Sequence, residues 1–476
     1  MRVPSLARGE GAVLGGAVSL LILLGLWVIG WQFARYVVDA DRALWAFPVG
    51  VLATSVSFQV LWFLGMPFAW LAMGWWFLAG ISGAALWFDS RRYISRFLVR
   101  RHLQSWIERV STTQVGWQHW PLIFMGFIAA FSVALILIWS LIVRPVGWDH
   151  LTLYEGRAQL ISQGARLGSF LDEFARVENA TGYDFLHPFG SSLFSALFHW
   201  SGSEFALAWQ GVFLVNIVLI AWRQLQTWPA RIVLAFFVVT SRGFFEHALE
   251  GYPSWIAALL WLLLATQLPS LKDHISRKHI WRVALIVCSI GAWRVAEPFF
   301  LLFAGSVIAW MTYRRWRGEF AWEWILSLLP AGIVMGQWSM IMRWGREASA
   351  FAAQSHAATL LAHHSRHDLG AVVLIGAFPL WKLILLTICV MLVVKPSRDW
   401  WRRNAWLLFL TLSFVALVLA APIAQAVLTA FPHSEILAIW PRLVLAPGLL
   451  LVWCLTLVCD VATTPPPGKK SGMLQP

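Results

Sequence analysis

The chain has 476 residues, 59% of them hydrophobic and only 12% charged, a balance that no soluble domain of this length can hide in its interior. Lys and Arg outnumber Asp and Glu 36 to 23, for a net charge of +13. The basic residues fall in short clusters beside apolar segments, which points to membrane topology and not to nucleic acid. Continuous apolar runs, in place of alternating short strands, exclude a β-barrel.

Runs able to cross roughly 30 Å of hydrocarbon predict an all-α fold, a polytopic transmembrane helical bundle of about 12–14 membrane segments. In chain order they cover 12–34, 43–63, 66–87, 120–143, 187–200, 204–222, 230–246, 253–270, 280–293, 297–312, 323–343, 370–394, 404–424 and 441–461. The first reads as a retained span: it is too long for a signal h-region and lacks a small-residue cleavage site. Residues 187–200 and 280–293 are short for a crossing and suit half-helices or tilted ones. The clusters RRYISRFLVRRHLQSWIERV (91–110), KDHISRK (272–278), YRRWR (313–317) and KPSRDWWRR (395–403) predict the cytoplasmic side. That leaves 144–186, 241–252, 344–369 and 425–440 on the outer face.

If Arg223 and Arg231 are cytoplasmic as well, 187–222 holds an odd number of crossings, and the piece 187–200 is re-entrant or flat. The direction of the first three spans stays open, because Arg2 and Arg8 compete with Arg35 and Arg42. The 33 tryptophans suit an interfacial belt. Cys288, Cys389, Cys454 and Cys459 all sit in or beside apolar segments, so no disulfide framework is implied. The expected organisation is N-terminal accessory segments with a basic cytoplasmic linker over 1–119 and a core over 120–462 with an external loop at 144–186. A disordered cytoplasmic tail, rich in Pro and Gly, follows over 463–476.

The external loop carries the chemistry. Between Arg144 and Asp184 it holds Asp149, Glu155, Asp172, Glu173, Glu178 and Asp184, six of the chain's 23 acidic residues. Its opening, GWDHLTLYEGRAQLISQG, places Leu151, Ala158 and Ile161 near helical spacing and ends at Gly164. This predicts an amphipathic juxtamembrane helix lying on the membrane surface. Asp149 stands before that helix, where it is either an N-cap or a fixed general base at the water–lipid boundary, and the two roles are compatible.

Three further stretches bear charge among apolar residues. In SRGFFEHALEGYPSWIAALL (241–260), Glu246 and Glu250 are four apart and can share one helical face. Arg294 and Glu297 lie inside apolar sequence, reading either as a phosphate contact lining a cavity or as a salt bridge at a helix break. RWGREASAFAAQSHAATLLAHHSRHDLG (343–370) carries Arg343 and Arg346, suited to a lipid-linked phosphate. Its His363–His367 and His364–Asp368 pairs have a spacing that admits a metal, while a mobile amphipathic cap is the simpler reading. No P-loop, GxGxxG, GxSxG or CxxC is found, so a donor that is itself a lipid fits better than a nucleotide sugar.

The pattern W-D-x-x-x-x-Y, a small-residue helix ending in Gly, then H-P with a following Leu, is carried by Trp148, Asp149, Tyr154, Ala158, Gly164, His187, Pro188 and Leu193. It resembles the glycosyltransferase-C superfamily, and within it bacterial relatives of the protein mannosyltransferase and lipid A aminoarabinose transferase group. Two departures stand out: Gln210 occupies the place of an arginine in the following span, and Ser254 that of an aspartate, so a second acid would sit at Glu246 or Glu250. The resemblance implies an inverting glycosyltransferase of the bacterial inner membrane and cell envelope, with its active site facing the periplasm or exterior. Asp149 would be the catalytic base, Arg294 and Arg346 would bind the donor phosphate, and His150, Tyr154, His187, Glu246 and Glu250 would serve as acceptor or supporting contacts. The partners implied are a polyprenyl-phosphate sugar donor and membrane lipids; the acceptor is not read, and a divalent cation is the one cofactor left open. A transporter or flippase for a lipid-linked or anionic solute is the alternative, with Arg294 and Glu297 lining its path. A polysaccharide polymerase or ligase is a third reading, although such proteins put their large loop late in the chain.

Overall fold

The computed structural model describes residues 10–38, 41–93, 120–142, 154–166, 189–203, 205–251, 253–267, 277–293, 332–333, 336, 380, 382–428 and 433–464. Among the described residues there are helices and turns and no strand. The helices are α1 (Glu10–Val37), α2 (Arg42–Phe63), α3 (Phe68–Tyr93), α4 (Trp120–Ile142), α5 (Gly156–Ser162), α6 (Gly190–Trp200), α7 (Ala208–Gln224) and α8 (Trp228–Thr240). They continue as α9 (Arg242–Glu250), α10 (Pro253–Gln267), α11 (Arg277–Trp293), α12 (Lys382–Val394), α13 (Arg398–Leu428) and α14 (His433–Thr463).

Among the described residues five stretches are long and apolar enough to cross a membrane: Leu14–Val37, Arg42–Phe63, Phe68–Phe88, Trp120–Leu141 and Val444–Thr463. A sixth forms if α8 and α9, bent by 58° at Ser241, count as one broken span. The protein is thus a multi-pass membrane protein. The large side chains left on its surface suit lipid, including Trp70, Phe77, Trp87 and Phe88 on α3 and Phe124, Phe127 and Phe131 on α4.

One end of the bundle gathers cations. Arg42 closes the α1–α2 turn by donating from Nε to the Trp31 carbonyl at 2.7 Å, with its guanidinium 4.6 Å from the Trp31 ring. Asp41, in the left-handed region at φ 59°, pairs with Arg223 at the end of α7. Arg231 donates to the Leu225 carbonyl at 2.8 and 3.1 Å, and Arg282 of α11 sits 5.3 Å from the Trp45 ring. Asp460, near the end of α14, accepts from the backbone N–H groups of Gln226 and Thr227, the latter at 2.7 Å.

These contacts orient the spans. α1 runs toward the basic end and α2 away from it. α4 leaves that end too: its Gly126 faces Ile232 of α8 near the basic end, while Trp139 Nε1 donates to the Leu249 carbonyl of α9 at 2.9 Å. α7 returns, α8 leaves and α10 returns. α11 leaves in parallel with α2, meeting Trp45 through Arg282 early and Gln59 through Gly190 late. α13 and α14 are antiparallel, with Thr411 3.6 Å from Cys454 and Val415 clustered with Leu451, so Arg402 and Arg403 fall level with Asp460. Arg35 and Arg42 therefore share an end with Arg223 and Arg231, which fixes the direction the residues alone left open.

Tight backbone packing joins α1 to α2. A Cβ on Gly30 would fall 1.7 Å from the Ala46 carbonyl oxygen, and one on Gly50 1.9 Å from that of Leu26. Only glycine admits such an approach, the usual device where two helices bind in lipid without a hydrophobic drive. The hydrophobic core runs on from these helices through α6, α7, α8, α10 and α11 to α13 and α14.

Helix α6 breaks the pattern of spans. At 11 residues it is about 16 Å long, too short for the hydrocarbon layer. Its first residue, Gly190, abuts Gln59 of α2 and Ala292 of α11. Just past its end, Ser203 meets Ser19 of α1 at 2.5 Å, and Ser201 accepts from Trp76 Nε1 of α3 at 3.0 Å. The α1–α2 register, with Leu26 against Gly50, places Ser19 level with Gln59 to within about one turn. Both ends of α6 thus sit at one depth, far from the basic end, and the helix lies across its neighbours. That leaves α7 as the single crossing between residues 189 and 224.

Candidate functional site

The site is built on α5 and α6 at the end far from the basic one. α5 closes with a pair of turn bonds, Gly164 N–H to the Ile161 carbonyl and Ala165 N–H to the Leu160 carbonyl, both 3.0 Å. Gly164 takes φ +100°, which a residue with a Cβ resists. α6 ends the same way at Gly202, with φ +84°. The expected glycine stop is where the residues place it.

The helix is not, however, a surface amphipath with its charges in water. Tyr154, Glu155, Arg157, Ala158 and Ile161 are buried, while Leu160 is 48% exposed. The reason is the seat: α5 packs on α6 and α3, so its inner face meets polar partners. Glu155 Oε1 lies 2.5 Å from His199 Nε2 near the end of α6, an ion pair whenever the imidazole is protonated. The Arg157 guanidinium stands 5.3 Å from the Phe189 ring, and that ring packs 5.0 Å from Trp62. Burial pulls the Arg157 pKa down to about 10, against a smaller opposing pull from Tyr154. It is still a cation at neutral pH, buried beside the Phe189 ring.

Beside this charged cluster lies a neutral one. Gln59 is fully buried, and among the described residues neither its Oε1 nor its Nε2 has a hydrogen-bond partner. The same is true of Ser192 Oγ, Gln210 Oε1 and Trp293 Nε1, on residues at most 2% exposed. An unmet buried polar group costs about 1–3 kcal/mol, so several on neighbouring elements mark a place built to meet something. Aromatic rings surround them: Trp209 is 5.0 Å from Trp293 and 4.8 Å from Phe194, and Phe194 is 6.0 Å from Trp293.

Of the residues singled out by pattern, Tyr154 lies in this site, buried at 2% exposure. Glu246 and Glu250 are on α9, which packs on α4, α8, α10 and α14, whereas α5 packs on α6 and α3. There Glu246 is exposed and the Glu250 side chain 45% so, 3.7 Å from the buried His247. Ser254 is buried at the start of α10. Asp149, His150, His187, Arg294, Glu297, Arg346 and the histidines of 356–367 lie outside the described residues. Among the described residues no group of three or more His, Cys, Asp or Glu is placed to hold a metal.

The pattern reading passed over Glu155 and Arg157 as members of the site, together with His199 and Gln59. A signal for the first two was present. Glu155 is four after Leu151 and three before Ala158, and Arg157 is four before Ile161, so both interrupt the apolar stripe itself. Nothing comparable marks Gln59, one amide in an apolar span. Comparison of the chain with protein-family models, with curated proteins and with solved structures finds no match.

Proposed function

We propose that this protein is an integral membrane glycosyltransferase, moving a sugar from a polyprenyl-phosphate-linked donor to an acceptor hydroxyl at the end of the bundle far from its basic clusters. One observation carries the reading: the helix following Trp148-Asp149 turns Glu155 and Arg157 into the bundle instead of into water. A buried guanidinium at the edge of a membrane bundle suits the phosphate of a lipid whose tails lie between spans, since it offers a planar fork of donors to phosphate oxygens.

In this mechanism Asp149 takes the proton of the acceptor hydroxyl as its oxygen attacks the anomeric carbon. The bond from that carbon to the phosphate oxygen breaks, its electron pair leaves with the polyprenyl phosphate, and the anomeric configuration inverts. Arg157, with Arg294 and Arg346, stabilises the charge developing on the leaving phosphate. His150, Tyr154 and His187 are the proposed acceptor contacts. By the positive-inside rule the basic end is cytoplasmic, which sets this chemistry on the periplasmic face of a bacterial inner membrane.

The test is transfer from radiolabelled polyprenyl-phosphate sugars, glucose, mannose and aminoarabinose among them, in membranes bearing the wild type or Asp149→Asn. Loss of general-base catalysis lowers the rate by about 100-fold or more. Full transfer by a folded Asp149→Asn protein removes Asp149 from the mechanism. Movement of labelled lipid across the bilayer with no transfer by the wild type replaces the enzyme with a transporter.

A further inference from the structure

We infer that one face of α13 is a binding site for a single anionic phospholipid, its phosphate held by Arg398 and Arg402. The site lies at the basic end of the bundle, opposite to α5 and α6, and does not depend on the transferase reading.

Burial along α13 defines the face. Trp400, Leu407, Leu410 and Phe414 are buried and share one side of the helix. Arg398, Arg402, Ala405, Phe409 and Leu412 recur at spacings of 4, 3, 4 and 3 residues, all of them exposed, and line the opposite side. Trp401 flanks this stripe at 40% exposure, its ring set edge to face against the buried Trp400 at 5.3 Å. The stripe passes from two cations to apolar side chains, with the small Ala405 between them. Asp399 and Arg403 lie about 100° further round the helix, so no acid stands in the stripe. Among the described residues neither Arg398 nor Arg402 pairs with a carboxylate. The turn leading into α13 adds a third exposed cation, Lys395.

Depth in the membrane selects the ligand. Thr411 Oγ1 lies 3.6 Å from Cys454 Sγ, and Cys454 is at the middle of the spanning stretch Val444–Thr463. Leu412 is therefore near the bilayer midplane. Arg402 stands nine residues before Thr411, about 14 Å along the axis, against a hydrocarbon half-thickness of about 15 Å. Its guanidinium is at headgroup level, and Arg398 is one turn further out. A phosphodiester between the two arginines, with an acyl chain laid over Ala405, Phe409 and Leu412, matches the face along its whole length. The guanidinium forks donate to phosphate oxygens, and Trp401 suits the ester level between headgroup and chain. A zwitterionic lipid brings its own cation to the same arginines and gains less. A soluble anion meets the arginines and leaves the apolar stretch unused. A second copy of this chain in the same membrane orientation would bring its own arginines to that level, where like charges repel.

The experiment titrates the full chain in detergent with dioleoyl phosphatidylglycerol, dioleoyl phosphatidylcholine or the soluble headgroup glycerophosphoglycerol, counting bound molecules by native mass spectrometry. The first phosphatidylglycerol binds the wild type about tenfold tighter or more than phosphatidylcholine. Arg398→Gln and Arg402→Gln each cut that preference by about threefold to fivefold. Both positions are exposed, so the packed side of α13 is untouched. Arg403→Gln removes the same charge one residue away, off the stripe, and keeps the preference within about twofold. Equal binding of the two lipids by the wild type overturns the inference. So does an equal fall in Arg403→Gln, which makes the preference a diffuse attraction to the basic end. Glycerophosphoglycerol bound as tightly as the lipid also overturns it, because the face is then an anion site with no use for a chain.

Discussion

Replacing Arg157 by methionine should make the protein more stable and less active. Burial in the folded state lowers the Arg157 pKa from its ordinary value to about 10, and a shift of that size corresponds to about 3 kcal/mol against folding with the side chain charged. Methionine follows the path of the arginine stem and carries no charge to desolvate. Against the gain stands the lost contact with the Phe189 ring, worth about 1–2 kcal/mol when shielded from water. The net expectation is a gain of roughly 1–2 kcal/mol, in line with replacing buried ionic groups by apolar ones. Equilibrium unfolding in mixed micelles, read by circular dichroism, measures it.

The sign with pH follows from linkage. Below about pH 10 the arginine is charged in both states, so its cost is present in full. As pH rises above about 10 the folded state loses its proton first, the wild type gains stability, and the advantage of Arg157→Met shrinks. Sugar transfer by Arg157→Met should fall while stability rises, the trade expected where a costly charge is kept for function. A variant less stable than the wild type by 1 kcal/mol or more would refute the argument, because the arginine would then be held for structure.

Gly50→Ala should split α1 from α2, since its Cβ would lie 1.9 Å from the Leu26 carbonyl oxygen with backbone on both sides. Loss of the monodisperse peak in size-exclusion chromatography, or a stability loss of about 3 kcal/mol or more, is the expected result, and an unchanged profile contradicts the packing. Asp460→Ala removes the carboxylate that accepts from Gln226 N–H, Thr227 N–H and Thr227 Oγ1 at the start of α8. A loss of about 2–3 kcal/mol in the same unfolding assay is expected, and one below about 0.5 kcal/mol would show that water replaces the carboxylate freely.

Helix class and order were legible because lipid imposes them: a stretch that crosses must be apolar and must satisfy its own backbone, so length and hydropathy suffice. Relative direction was legible wherever cations were plentiful. At α1 they stood on both sides, and only the contacts of Arg42 with Trp31 and of Asp41 with Arg223 oriented it. The end of α5 was legible as well, because Gly164 has a backbone conformation that few residues replace. Its face was not. An amphipathic pattern shows which side differs from the other, and a short helix seated on protein can bury the charged side if ions and rings await it. Here His199 and Phe189 come from residues more than 30 positions further along the chain, and no local pattern announces them.

Gln59 shows the same limit at greater range, and it also explains why α6 lies as it does. A short helix across a bundle is held by what packs on its two ends. Its first turn lies on the ends of α2 and α11, and its last turn on hydroxyls and indoles of α1 and α3. Such a seat needs α1, α2 and α3 already in place. The stretch that reads in sequence as an accessory to the core therefore supplies three of the walls against which α6 is held. Removing α6's glycine should act at that seat: Gly190→Ala puts a methyl 2.3 Å from the Ala292 carbonyl oxygen and 3.4 Å from Gln59. Backbone there can yield only by lifting α6 from α11, which would carry Phe189, and with it the ring beneath Arg157, away from Trp62. A disulfide trap or spectroscopic distance between α6 and α11 that stays at the wild-type value in Gly190→Ala would contradict this account of how the junction is held.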